Sequence, residues 1–88
     1  MNMNEASKII LATHSTEKLF PMVETEGKIC FIVERSATKK QIAEAIKLLY
    51  EIDAISVNTA RTPVGKKAFV KFKDAETARE LAADMGIL

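Results

Sequence analysis

Val57-Asn58-Thr59-Ala60-Arg61-Thr62-Pro63-Val64-Gly65-Lys66-Lys67-Ala68-Phe69-Val70-Lys71-Phe72 couples a hairpin to a basic face. Pro63 presets φ for the first corner of a type I turn and Val64 follows. Gly65 is free to adopt the left-handed conformation that closes a three-residue hairpin with a bulge. The flanks therefore read as paired antiparallel strands. On the second strand the side-chain period of two puts Ala68, Val70 and Phe72 on one face and Lys67, Phe69, Lys71 and Lys73 on the other. On the first, Asn58 and Ala60 alternate with Val57, Thr59 and Arg61, so short polar groups and an arginine converge on the same tip. Lysines around an aromatic ring suit a partner that carries phosphates and bases. Lysine also commonly protects exposed strands from aggregation, so the strand alone leaves both readings open.

Working outward, Thr38-Lys39-Lys40-Gln41 has the form of a capping box, and the helix it opens repeats apolar residues at Ile42, Ala45, Ile46, Leu49 and Tyr50. Ile29-Cys30-Phe31-Ile32-Val33 is apolar on both faces, as expected of an inner strand. Asp74 caps a last helix with Ala75, Ala78, Leu81, Ala82 and Met85 inward and Gly86 as its stop. Ile9-Ile10-Leu11 reads as a short edge strand. Ser15 then offers an N-cap to a helix holding Glu17, Lys18, Leu19, Met22 and Val23, which Pro21 bends or delays and Gly27 ends. The order β-α-β-α-β-β-α defines an α+β fold, a mainly antiparallel four-stranded sheet with helices packed on it. The 88 residues make one small domain, with residues 1–7 expected to fray.

The formal charge of +1 conceals segregation along the chain. Residues 1–34 carry three basic and five acidic side chains, 35–73 nine and three, and 74–88 one and four. A basic block framed by acidic segments is the footprint of one surface that meets phosphate and another that faces water or protein. No apolar run approaches the roughly 18 residues needed to cross a membrane, so no membrane insertion is expected. The start, Met1-Asn2-Met3-Asn4-Glu5, lacks the pattern of a targeting segment, and a cytoplasmic location follows as the expectation.

Catalytic candidates have duller explanations. Cys30 sits in an apolar strand with nothing nearby to activate its thiol, and His14 has no second ligand at metal-binding spacing. Met22 and Met85 read as fillers of core gaps. Pro63-Val64-Gly65-Lys66 is no phosphate-binding P-loop, because its lysine opens a strand rather than a helix. No enzyme activity, metal, cofactor or small-molecule substrate is expected.

Four places carry a family resemblance: Ser15-Thr16-Glu17-Lys18, the capped helix ending Leu48-Leu49-Tyr50, Val57-Asn58-Thr59, and Pro63 through Val70. With these the chain resembles the large-subunit ribosomal protein twenty-three family, the universal exit-tunnel family, in its short archaeal-type form. The resemblance implies a structural, non-catalytic constituent of the ribosome that binds large-subunit rRNA near the nascent-chain exit tunnel. It also implies ribosomal protein twenty-nine as a neighbour and a docking role for the signal recognition particle. Carried over by position, Lys18, Asn58, Thr59, Lys66 and Lys67 are expected RNA contacts; the reading of the residues themselves adds Lys39, Lys40, Arg61 and Lys71. Bacterial members carry a long hairpin extension into the tunnel, whereas the tip here is only Pro63, Val64 and Gly65. Eukaryotic members add a basic N-terminal tail, which this chain is expected to lack. An RNA recognition motif is the alternative, since Ala68-Phe69-Val70-Lys71-Phe72 echoes the end of its signature; the start of that signature is missing.

Overall fold

The expected inner strand, β2 (Lys28–Val33), lies between β1 (Ile10–Thr13) and β4 (Gly65–Phe72), with β3 (Ala54–Thr62) on the far edge, in a computed structural model that describes residues 1–14 and 17–86. The strand order is β1-β2-β4-β3 and every pairing is antiparallel. Three α-helices among the described residues accompany the sheet: α1 (Met3–Ile9), α2 (Lys39–Tyr50) and α3 (Ala75–Asp84). Ile29, Phe31 and Val33 of β2 alternate into the core and meet Ala68, Val70 and Phe72 of β4 there, all essentially inaccessible to water. Ile42, Ala45 and Ile46 of α2 and Ala78, Leu81 and Ala82 of α3 cover that face. The helical period of 3.6 and the strand period of two thus meet in one apolar layer, the two-layer solution for burying a sheet face.

The local signals at the helix starts act as expected. Thr38 Oγ1 accepts from the Gln41 N–H at 3.2 Å and Gln41 Oε1 accepts from the Thr38 N–H at 3.0 Å, which completes the capping box. Asp74 Oδ1 accepts from the Thr77 N–H at 2.7 Å at the head of α3. This bond holds the Asp74 carboxyl below its ordinary pKa. Tyr50, at the end of α2, stacks on Phe31 with ring centroids 6.1 Å apart, and burial raises the pKa of its phenol.

Three features depart from expectation. Residues expected to fray form α1, because Asn2 Oδ1 accepts from the Glu5 N–H at 2.9 Å and the helix lies against α2 with Ala6 fully buried. The expected helix after β1 is instead a 3-10 turn, Glu17–Leu19, and a π turn, Met22–Glu26, on either side of Pro21. Proline has no N–H to give a regular helix, and the π turn ends as Gly27 at φ 68° donates its N–H to the Met22 carbonyl. The expected N-cap, Ser15, lies outside the described residues. Finally, the β3–β4 loop is two residues, Pro63 and Val64, rather than three. Gly65 takes φ 130° but stays paired with Thr62 as the first residue of β4, and Thr62 Oγ1 donates to its carbonyl at 2.8 Å.

Gly27 has a second role. A Cβ at this position would stand 3.0 Å from both the carbonyl carbon and the oxygen of Asp74, where the chain turns from β4 into α3. The Gly27 carbonyl accepts the Phe72 N–H at 2.9 Å in the same crossing. Both edge strands are bulged. Leu11 is the extra residue in β1 and Ile55 the extra residue in β3, and both side chains are exposed.

Candidate nucleic-acid interface

The face of the sheet opposite the helices is built in rows by strand register. Lys28 of β2, Lys71 of β4 and Ser56 of β3 form one row, Cys30, Phe69 and Asn58 the next, and Ile32, Lys67 and Ala60 a third. Neighbouring strands lie roughly 4.8 Å apart and alternate residues along a strand roughly 7 Å apart. Phe69 therefore sits between Lys67 and Lys71 along β4, with Asn58 beside it. No carboxylate stands in these rows. Among the described residues, Lys28 alone of their lysines has an acidic partner, Glu26, at 3.6 Å. The exposed acids of α3, Glu76, Glu80 and Asp84, belong to a helix packed on the other face of the sheet.

Cys30 lies in this face but is not available to solvent. It shares a void of about 10 Å³ with His14, Leu19, Phe20 and Met22, so the segment after β1 folds over the β2 end of the open face. Burial raises the thiol pKa, against a smaller opposing pull from Lys67. The β4 and β3 part of the face, with Phe69 half-buried and Asn58 exposed, stays uncovered by any described helix.

A second group of cations gathers at the hairpin tip. Lys66 pairs with Arg61 across the hairpin and with Val33 of β2, on the core side of the sheet. Its Nζ donates to the Ala37 carbonyl at 2.6 Å and to the Arg35 carbonyl at 3.4 Å, tying β4 to the connection between β2 and α2. Arg61 is exposed and lines a cleft of about 390 Å³ together with Arg35, Leu11, Pro63 and Val64. Lys39 and Lys40 occupy the first turn of α2, which contains no acid. The positive end of a helix disfavours cations there by a few tenths of a kcal/mol or more, so helix stability does not explain them.

The nine expected contacts are thus distributed unevenly. Asn58, Lys67 and Lys71 share the open face; Arg61, Lys39 and Lys40 belong to the tip end; Lys66 is engaged there by backbone carbonyls. Thr59 is half-buried on the core side of β3, opposite Ala68, and Lys18 is exposed on the 3-10 turn apart from both groups. Sequence reasoning passed over Arg35 and Lys28. Both become visible only through register, since pairing of Val33 with Lys66 carries the chain just past β2 to the hairpin tip, and pairing of Lys28 with Lys71 extends the lysine row.

No group of His, Cys, Asp and Glu among the described residues could hold a metal ion, and no described helix is long and apolar enough to cross a membrane. Helices on one face, and on the other a sheet face whose β3–β4 part is uncovered and carries Lys67 and Lys71 with no carboxylate in their rows, define a two-layer α+β domain with a cationic sheet face. The family model described as ribosomal protein L23 matches residues 8–80. The chain belongs to that family. It is 44% identical over 84 residues to the large ribosomal subunit protein uL23 of Methanococcus vannielii, covering 94% of this chain and 98% of the relative. Against the protein of the same name from Pyrobaculum aerophilum it is 47% identical over 74 residues, with 83% and 91% covered, and against that from Methanococcus maripaludis 39% over 84 residues, with 94% and 98% covered. These archaeal relatives match the short form of the family.

Proposed function

We propose that the chain is a structural constituent of the large ribosomal subunit in the cytoplasm, and that it binds large-subunit rRNA through the open sheet face and the hairpin end. The carrying observation is the row Lys67–Phe69–Lys71 with Asn58 beside it and no carboxylate in the rows around it. Lysine ammonium groups at strand spacing neutralise successive phosphates, and such contacts fix register on RNA without reading its sequence. Asn58 supplies a donor and an acceptor to a sugar or base edge, while Phe69 supports the lysine stems. Arg61, Lys39 and Lys40 extend the same charge around the tip, and Lys18 offers a further phosphate contact. Lys66 acts by tying the hairpin to the connection between β2 and α2. The role requires no catalysis and no cofactor.

The position near the nascent-chain exit tunnel, the neighbouring ribosomal protein twenty-nine and the contribution to a docking site for the signal recognition particle come with the family. The acidic exposed surface of α3 supports them, because it leaves a side unsuited to RNA and open to protein partners. The test is sedimentation of the tagged chain from a lysate of its source cells. It should run with the large subunit and be released by high salt; a chain that stays at the top of the gradient refutes the assignment.

A further inference from the structure

The cleft at the hairpin tip combines two properties that the open face lacks. Leu11 and Val64 are 58% and 66% exposed, among the most exposed large apolar side chains described, and both line it. Each is there because regular structure is broken, Leu11 as the extra residue of the β1 bulge and Val64 as the second residue of the turn. Around this apolar floor stand the guanidinium groups of Arg35 and Arg61, and no carboxylate is part of the lining. The nearest acid in sequence, Glu34, is turned onto Ser36, from which it accepts both the backbone N–H and the hydroxyl. Lys66 is occupied by carbonyls.

We propose that this cleft receives one unstacked nucleotide of the bound RNA, its base on Leu11, Ile32 and Val64 and its phosphate at Arg35 and Arg61. The inference rests on the rRNA-binding reading and assigns a specific subsite to it. A volume of about 390 Å³ is near the small end of ligand sites, which run from roughly 300 to 1,000 Å³, and suits a single nucleotide. Unpaired bases in RNA are held by apolar or planar surfaces, and guanidinium groups supply both a plane and a phosphate fork. An acidic, apolar peptide would also complement the cleft. RNA is favoured because the cations continue in both directions, to Lys67, which pairs with Ile32, and to Lys39 and Lys40 beyond the Lys66–Ala37 tie.

The test uses the full chain with its methyl groups isotopically labelled. Adenosine 5′-monophosphate should shift the Leu11, Ile32 and Val64 methyl resonances saturably, while inorganic phosphate leaves them in place. Because both side chains are exposed, Leu11→Ser with Val64→Ser should keep the melting temperature, abolish those shifts and weaken binding to a large-subunit rRNA fragment by between about five- and a hundredfold. Ile55→Ser, at the other bulge, should change none of these. Unmoved methyls, or an acidic peptide that displaces the nucleotide, overturn the inference. A wild-type chain that binds the fragment while the double variant binds equally well overturns this subsite alone, whereas no binding by the wild type overturns the underlying function.

Discussion

Lys66 and Lys67 are neighbours in sequence with opposite assignments, and replacing each by methionine separates them. Methionine keeps the apolar stem and removes the charge and donors. Lys66 loses a charged hydrogen bond to the Ala37 carbonyl at 2.6 Å and a weaker one to Arg35. Bonds from charged donors contribute about 1.5–3 kcal/mol, and partial exposure of Lys66 places the loss near 1–2 kcal/mol. In a domain of this size that lowers the melting temperature by roughly 5–15 °C. Lys67 faces outward from the open sheet face, so Lys67→Met should change stability by less than about 0.5 kcal/mol. In RNA binding the order reverses. Each phosphate contact adds roughly 0.7–0.9 to the slope of log affinity against log salt, so between 50 and 200 mM salt the affinity lost by Lys67→Met should be about threefold smaller than that lost by wild type. Lys66→Met should keep the wild-type slope. Circular-dichroism melts and a salt series of fluorescence anisotropy on one rRNA fragment give both numbers. If Lys66→Met melts like wild type and flattens the slope while Lys67→Met does neither, the orientation assigned to this strand is wrong.

Gly27→Ala should lower stability by about 2–5 kcal/mol, from the left-handed φ of 68° and the 3.0 Å approach to the Asp74 carbonyl, whereas Gly86→Ala, at φ 76° with open space around it, should cost only about 1–2 kcal/mol in denaturant unfolding. Asp74 and Glu34 have folded pKa values below their unfolded ones, so their contribution is complete above the unfolded values of about 4 and is lost as pH falls through the folded ones; melting temperature should drop over that acid range, and less steeply in Asp74→Asn. On one rRNA fragment at one salt concentration, Phe69→Leu should stay within about threefold of wild type, while Asn58→Ala should cost on the order of 1 kcal/mol; a large loss for Phe69→Leu with none for Asn58→Ala would replace phosphate anchoring by base stacking.

What the sequence disclosed were features written in local periodicity. The alternation Lys67-Ala68-Phe69-Val70-Lys71 assigned both faces of β4, and Thr38 with Gln41 located the start of α2. The helix α1 was written just as locally, in Asn2 and Glu5, but so short a segment persists only because α2 gives Ala6 a surface to pack on. In the hairpin the resemblance carried Asn58, Thr59, Lys66 and Lys67 over as RNA contacts, and the reading of the residues added Arg61 and Lys71. Strand parity already turned Lys66, Arg61 and Thr59 to the other side, and only the tertiary fold supplied the carbonyls that engage Lys66. The bulges at Leu11 and Ile55 left no mark in the hydrophobic pattern, because an inserted residue is visible only against its partner strand. Arg35 escaped for the same reason.

Those two bulges lie on β1 and β3, the outermost strands, and so interrupt the sheet at both of its borders. A ribosomal protein is made apart from the RNA it joins, and during that interval a flat sheet margin would invite a second copy to add its own strand. The extra residue at each margin breaks the even ladder of donors and acceptors that such addition requires and increases the local twist. Copies waiting for a place in a particle therefore meet each other without a matching seam, and the same irregularity that exposes Leu11 and Ile55 works against strand addition at either margin.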